Sequence, residues 1–178
     1  MAVVERKVDR QALATRLGQV CRLSGEFTLR SGEVASTYFD KYLFEGDPEL
    51  LEAVAAHMAE LVPSSTEVLA GLELGGVPVA TALSLATGLP VAFVRKEAKT
   101  YGTAKLTEGA KVMGRRVLII EDVITTGGQA ATSGAHLRAS GAIVDTVLCV
   151  VDRSGGDRSA LDAVAISMTA LFLSDELG

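Results

Sequence analysis

Short apolar runs alternate with amphipathic stretches along the chain, in the order expected of strands followed by helices. Residues 117–120 are four consecutive apolar, mostly β-branched residues, a pattern typical of a strand buried on both faces of a parallel sheet. Asp9 and the Asp47-Pro48 pair stand where helices are expected to begin. The pattern predicts an α/β fold with a central parallel sheet flanked by helices. The predicted helices are 9–23, 48–62, 78–88 and 128–140, and the predicted strands are 26–29, 37–40, 68–70, 90–94, 117–120, 143–151 and 165–171.

The composition is that of one globular domain. The 178 residues are 48% hydrophobic, and no linker, repeat or low-complexity segment divides them. No apolar run approaches the roughly 20 residues of a membrane span, and residues 1–10 are not followed by the apolar segment of a secretory signal. We therefore expect a cytoplasmic protein with no membrane partner, in which Cys21 and Cys149 are reduced thiols and His57 and His136 are surface or packing residues.

The net charge of -5 argues against a nucleic-acid partner, but the charge is unevenly distributed. Residues 95–116 contain seven basic and two acidic residues, a local balance of +5. This segment shows no apolar periodicity between two predicted strands, and a loop of such length is usually a lid or a binding segment. A disordered surface excursion is the alternative interpretation. A basic segment in an acidic protein indicates a polyanionic small ligand.

The stretch VLIIEDVITTGGQA, residues 117–130, carries the most specific chemistry. Glu121 and Asp122 are placed where the strand is expected to end, and a Thr-Thr-Gly-Gly turn follows that can open a helix. Backbone amides of such a turn can bind a phosphate. The carboxylates suit sugar hydroxyls, a magnesium ion or a cationic sugar carbon. Together these groups describe a site for a phosphorylated ribose, and an ordinary strand, turn and capped helix is the alternative.

Two further segments have candidate roles. The second glycine turn, residues 75–78, follows another predicted strand and can form a second anion site. Phe27, Tyr38 and Phe39 cluster beside Arg30 in a predicted hairpin, and an aromatic wall with a cation suits a planar, anionic ring. A small hairpin that only covers the core explains the same residues.

The central motif resembles the phosphoribosyl pyrophosphate (PRPP) motif of the type I phosphoribosyltransferases. The chain contains neither GxxxxGK[ST] nor GxGxxG, which argues against other nucleotide sites. The segments FTLRSG, FVRKEAKTYGT, KLTEG and VVDRSGG are similar to those of the orotate phosphoribosyltransferases, so the resemblance spans about residues 25–156. It implies one domain, with an N-terminal hood over about residues 1–45, a core over 46–178 and a long mobile loop.

The resemblance also implies residue roles. Lys99 and Asp122 would be catalytic, and Thr125 and Arg153 would contact orotate. Glu121 and Asp122 would hold the ribose hydroxyls, and Thr125 to Gln129 the 5′-phosphate. The implied PRPP-binding residues are Arg95, Lys96, Lys99, Glu121, Asp122, Val123, Ile124, Thr125, Thr126, Gly127, Gly128 and Gln129. The implied cofactor is Mg²⁺, bound by substrate oxygens, with no protein side chain assigned as a ligand.

The sequence departs from the family pattern at three places. Tyr101 stands where histidine is common, Arg30 where lysine is common, and a lysine of the second glycine turn is replaced near Gly75. The family implies a homodimer whose loops cross between subunits. A purine or uracil transferase, or a non-catalytic PRPP-sensing regulator, remains the alternative, although the N-terminal residues offer one helix and no DNA-binding helix-turn-helix.

Overall fold

The computed structural model describes residues 8–28, 32–97 and 106–178. The helices are α1 (Arg10–Cys21), α2 (Tyr42–Glu45), α3 (Pro48–Met58), α4 (Gly76–Thr87), α5 (Gly128–Ala139) and α6 (Ser159–Asp162). The strands are β1 (Arg22–Thr28), β2 (Val34–Phe39), β3 (Val68–Leu72), β4 (Val91–Val94), β5 (Thr107–Gly109), β6 (Val117–Ile124), β7 (Thr146–Asp152) and β8 (Ser167–Leu173). Short 3₁₀ turns at Ala59–Leu61 and Ser174–Leu177 complete the described elements.

A six-stranded sheet forms the centre, in the order β5-β4-β3-β6-β7-β8. All neighbouring pairs are parallel except β4 and β5. The α/β class predicted from the sequence is therefore confirmed, with one antiparallel edge. Strand β6 lies between β3 and β7, so its carboxyl end opens at the middle of the sheet, where ligands of such folds bind.

Alternate side chains of β6 enter two separate hydrophobic clusters. Leu118 and Ile120 pack with α1, α3 and α4 on one face, whereas Val117 and Ile119 pack with α5 and α6 on the other. The prediction that residues 117–120 form a strand buried on both faces is confirmed. Burial on both faces holds β6 rigidly, which a site at its end requires.

Helix starts follow the predicted capping residues. The Asp9 carboxylate accepts hydrogen bonds from two amides of the first turn of α1, and Asp47 does the same for α3, where Pro48 is the first helical residue. Pro78 was predicted at the first position of its helix, but α4 begins at Gly76, so the proline is third. It still lies in the first turn, where its missing amide removes no helical hydrogen bond.

Several strands begin at other residues than the sequence predicted, and one strand was not predicted at all. Strand β5 lies inside the segment 95–116, which was predicted as loop, because Thr107–Gly109 has no apolar pattern and pairs with β4 through its backbone. Strand β7 begins at Thr146 rather than 143, since Ile143 makes only one isolated bridge, to Arg116. Strand β8 begins at Ser167 rather than 165, because Ala165 has a φ of 52°.

The N-terminal elements lie against the sheet as an additional layer. Strands β1 and β2 form the predicted antiparallel hairpin, although β1 begins at Arg22 and the predicted turn at residues 30–32 lies largely outside the described residues. Helix α1 packs against α2, α3 and the C-terminal 3₁₀ turn. Its Arg10 donates to the Leu171 carbonyl at 2.6 Å and pairs with Glu176 at 2.8 Å, which ties the two ends of the described chain together. Across the described ranges, no helix is long and apolar enough to cross a membrane.

Candidate active site

Glu121 and Asp122 lie within β6 rather than after it. The sequence placed them where the strand should end, but the pairing of Val123 and Ile124 with β7 extends the strand by two residues. Both acids are buried, with 8% and 1% of their surface exposed. Asp122 projects towards the start of α4, because a Cβ added to Gly75 would meet its carboxylate. Burying an unpaired carboxylate costs free energy, so the groups around each acid determine its charge and its contacts.

Asp122 lies in a compact cluster with Lys41 and Glu45. The Lys41 Nζ is 2.5 Å from Asp122 Oδ2. A Cβ added to Gly75 would be 1.7 Å from Asp122 Oδ2 and 2.7 Å from Glu45 Oε1, so both carboxyl groups press against the residue before α4. The Asp122 Oδ1 accepts a hydrogen bond from the Val123 amide at 2.6 Å. Sequence reasoning missed Lys41 and Glu45, because nothing near them in sequence marks their approach to β6.

The contacts within this cluster shift the pKa values of its acids in opposite directions. Burial acts to raise the pKa of Asp122, but its contacts with Glu45 and Lys41 outweigh burial and hold that pKa below its usual range. Burial, together with the neighbouring Asp122, raises the pKa of Glu45 to about 9. Burial and the charge of Asp122 likewise raise the pKa of Glu121, to about 8. The contacts of Asp122 thus favour its ionised form, whereas burial beside this charge favours the protonated forms of Glu45 and Glu121.

The turn after β6 leaves amide groups free to bind an anion. Gly127 has a φ of 74°, and α5 begins at Gly128 without a side-chain cap. The nearest candidate cap, the Thr126 hydroxyl, is 3.4 Å from the Gly128 amide, which is too long for a strong bond. Thr125, Thr126 and Gln129 are exposed around this helix start. The anion site predicted from the TTGG turn would lie at this helix start.

The two apolar residues in the middle of the motif pack into the protein. Ile124 is 4% exposed and belongs to the hydrophobic cluster beneath α5, whereas Val123 packs against the opposite cluster. Of the twelve residues predicted to bind PRPP, these two have side chains turned into the protein.

The second glycine turn brings another helix start to the same end of β6. A Cβ on Gly76, the first residue of α4, would be 2.4 Å from the Ile120 carbonyl, so the helix start lies directly against β6. Two helix amino termini, those of α4 and α5, thus flank the strand that carries the acids. Each adds positive potential to the region between them.

The basic residues after β4 begin beside this turn. Arg95 is half-buried and its amide donates to the Leu106 carbonyl at 2.8 Å, while the Lys96 amide donates to Glu73 Oε2 at 2.8 Å. Glu73 belongs to the turn before α4, so the segment and the turn are joined. Lys99 and Tyr101 lie outside the described residues, as does Arg30, and their predicted roles stay predictions.

Arg153 forms one wall of a pocket at the end of the neighbouring strand. Its amide donates to the Ile124 carbonyl at 2.8 Å, so Arg153 and Thr125 lie side by side at the ends of β7 and β6. The guanidinium is 5.8 Å from the centre of the Phe39 ring, and the rings of Phe27 and Tyr38 are 5.5 Å apart. The pocket has a volume of about 390 Å³ and is lined by Arg22, Thr37, Tyr38, Phe39, Val151, Arg153, Ser174 and Leu177. The hairpin therefore contributes residues to this pocket as well as covering the core.

Comparison with known proteins decides the family. Residues 45–170 match the model of the phosphoribosyl transferase domain. The chain is 54% identical over 165 residues to an orotate phosphoribosyltransferase of a Nocardioides species, covering 93% of this chain and 92% of the relative. The chain belongs to the orotate phosphoribosyltransferase family.

Solved structures agree with this assignment. The Mycobacterium tuberculosis orotate phosphoribosyltransferase in complex with Fe(III) dicitrate superposes with a TM-score of 0.86 at 34% identity, over 95% of this chain and 98% of that one. The same enzyme in complex with PRPP gives a TM-score of 0.81 at 31% identity, with the same coverage. An orotate phosphoribosyltransferase fold therefore accounts for nearly the whole chain.

The remaining sequence predictions concern metal ligands, cysteines and histidines. Within the described ranges, no group of three or more histidine, cysteine or acidic residues is arranged to hold a metal ion. Cys21 and Cys149 are free thiols buried in the two clusters, and burial raises the pKa of Cys21 to about 11. His57 packs beneath α1, 2.7 Å from the Val8 carbonyl, and His136 is exposed on α5. These residues have structural positions in this orotate phosphoribosyltransferase fold.

Proposed function

We propose that the protein transfers the 5-phosphoribosyl group from PRPP to orotate, giving orotidine 5′-monophosphate and pyrophosphate. One observation carries the proposal: an anion-binding helix start, an ionised buried acid and an arginine-aromatic pocket meet at the ends of two hydrogen-bonded strands, β6 and β7. These three sites correspond to the phosphate, the sugar and the base of the product. The reaction belongs to the synthesis of pyrimidine nucleotides.

The phosphoribosyl part of the substrate follows from the β6 motif. Free amides of Gly128 and its neighbours, with the hydroxyls of Thr125 and Thr126, would bind the 5′-phosphate. Asp122 and Glu121 would lie beside the ribose hydroxyls. The pyrophosphate would lie towards the start of α4, where Arg95 and Lys96 begin the basic segment that contains Lys99.

The base would occupy the pocket beside Arg153. Orotate is planar and carries a carboxylate, which a guanidinium binds through two parallel hydrogen bonds. The Phe39 ring beneath Arg153 offers a flat apolar surface for the pyrimidine. Thr125, next to Arg153 across the strand pair, would approach both the base and the phosphoribosyl group.

The transfer exchanges one bond at the anomeric carbon. The C1–oxygen bond to pyrophosphate breaks, the orotate ring nitrogen forms the new C1–nitrogen bond, and that nitrogen's proton is released. Positive charge develops on the ribose during this exchange, and the ionised Asp122 favours that state over the ground state. The basic segment would offset the charge of the departing pyrophosphate and exclude water.

We propose that Mg²⁺ accompanies PRPP. Asp122 is already engaged by Lys41 and Glu45, which fits an ion held by substrate oxygens better than an ion held by this acid. When bound, the ion would neutralise charge on the pyrophosphate, a role suited to hard oxygen ligands. We further propose a cytoplasmic homodimer in which the segment containing Lys99 reaches the partner's site.

The direct test is spectrophotometric loss of orotate after addition of PRPP and Mg²⁺ to the purified protein. We expect one orotidine 5′-monophosphate and one pyrophosphate for each orotate consumed. Uracil, adenine and hypoxanthine serve as competing bases, and preference for any of them would reassign the substrate. Binding of PRPP without conversion of any base would instead support a PRPP-sensing regulator.

A further inference from the structure

Lys41 occupies a position that no sequence motif of the site predicted. It lies between β2 and α2, in the N-terminal layer, yet its Nζ reaches 2.5 Å from Asp122 Oδ2 at the centre of the sheet. The side chain of Asp122 is 1% exposed, and that of Lys41 is 32% exposed. A cation paired so closely with a buried acid controls both the charge and the orientation of that acid.

The backbone around Lys41 is held on both sides. The Asp40 amide donates to the Cys21 carbonyl at 2.8 Å, and the Asp40 carboxylate accepts from the Tyr42 amide at 3.1 Å. Three residues later Phe44 is fully buried in the core and anchors α2. Lys41 therefore extends its ammonium group from a fixed point, which is a requirement for positioning another side chain.

Asp122 is confined on its other sides as well. Gly75 leaves no room for a Cβ, because Asp122 Oδ2 would be 1.7 Å away, and Glu45 Oε1 would be 2.7 Å from the same added atom. A proton on Glu45 supplies the donor that two facing carboxylates otherwise lack. The titratable and charged groups around Asp122 are thus Lys41 and Glu45 from the α2 region and Glu121 from β6.

We propose that Lys41 is a positioning residue for phosphoribosyl transfer, which holds the Asp122 carboxylate in place and aimed at the ribose, with Glu45 packed beside the same carboxylate. The inference rests on the proposed function. It assigns to the β2–α2 junction a part in the chemistry, next to the end of β2 that lines the pocket proposed for the base. A purely structural ion pair would contribute only to stability.

Kinetics of Lys41→Met and Lys41→Arg test the proposal. We expect Lys41→Met to lower kcat at least about tenfold while KM for PRPP changes less than about threefold, since the loss falls on the transition state. Lys41→Arg keeps the cation and should stay within about threefold of the wild type in kcat. Arg16→Met is the matched control, because it removes an exposed ion pair with Glu49 at 3.0 Å and should change neither constant.

A second measurement is independent of activity. Carbon-13 NMR of protein labelled at the aspartate carboxyl carbons follows Asp122, assigned by the signal lost in Asp122→Asn. The Asp122 pKa should be below the usual range in the wild type and should rise in Lys41→Met. If Lys41→Met does not fold, Lys41→Gln keeps a hydrogen-bond donor without the charge, and the same changes are expected.

The outcomes separate the two proposals. Wild-type protein that converts no orotate overturns the proposed function, and the NMR titration still decides whether Lys41 controls Asp122. Active wild type with unchanged kcat in Lys41→Met overturns the role of Lys41 alone. A lower thermal midpoint with an unchanged Asp122 titration also overturns it, because that pair of results describes a stabilising contact only.

Discussion

Asp122 keeps a negative charge where water scarcely reaches. Removing a carboxylate from water is costly, and the Lys41 ammonium and the Val123 amide compensate for that cost in this protein. The charge faces the end of the sheet where the ribose of PRPP is proposed to bind. A charge held in place before the substrate arrives needs no reorganisation when positive charge develops on the sugar.

Asp122→Asn should therefore impair turnover more than PRPP binding. Asparagine keeps the size and one acceptor of the side chain but removes the charge that favours the transition state. We expect kcat at saturating substrates to fall at least tenfold, about 1.4 kcal/mol of barrier, with PRPP affinity within about threefold by calorimetry. Asp162→Asn, at an exposed position in α6, is the control. Near-normal turnover of Asp122→Asn would assign a structural role to the acid.

Arg153→Ala should weaken orotate rather than PRPP. The exposed guanidinium lies over Phe39 in the pocket proposed for the base, whereas the turn before α5 is proposed to bind the phosphate. Separate calorimetric titrations should show orotate affinity at least about tenfold lower and PRPP affinity nearly unchanged. Arg16→Ala, which removes an arginine from α1, should affect neither ligand. Equal losses for both ligands would contradict a specific contact with orotate.

The turn before α4 limits the size of the residue that can lie beside Asp122. Gly75 has a φ of -67°, a value that any residue adopts, so the requirement for glycine comes from space rather than from the backbone. Gly75→Ala should push the Asp122 carboxylate away and lower kcat, with destabilisation of about 1–3 kcal/mol from overpacking. The control is Gly46→Ala, where the nearest atom to an added Cβ is 3.2 Å away. Equal activity of the two variants would show that Asp122 tolerates displacement.

Elements with a strong local pattern were predictable from the sequence. Strand β6 and the starts of α1 and α3 depend on neighbouring residues, namely an apolar run and two capping aspartates. The glycine turn that begins α5 was predictable for the same reason. Strand β5 was not, because its three residues form a strand only by pairing with β4. Lys41 and Glu45 were missed because their approach to Asp122 exists only after the N-terminal layer packs on the sheet.

The stability of the whole molecule should depend on the proton held by Glu45. Its pKa is raised in the folded state, mainly by burial and then by Asp122, so the folded protein binds a proton that the unfolded chain releases. Stability from this group is fully present below the usual glutamate pKa and is lost as pH rises through about 9. Glu121 acts in the same direction.

Glu45→Gln isolates this effect, since glutamine imitates the protonated acid. The free energy of unfolding of the variant should match the wild type near pH 5 and exceed it increasingly as the pH approaches 9. Urea denaturation across this range measures the difference. Glu49→Gln, at an exposed site in α3, should show no such trend. A constant difference between Glu45→Gln and the wild type would mean that Glu45 is ionised throughout.

The order of strands in the sheet also determines when the protein can fold during synthesis. Strand β3 pairs with β4 soon after both leave the ribosome, but its other neighbour is β6, which ends at Ile124. Until then the hydrogen-bonding edge of β3, a strand of apolar residues, is open to pairing with other chains. Formation of the central sheet is thus a late, long-range event, and we expect a nascent chain that ends before β6 to be prone to aggregation.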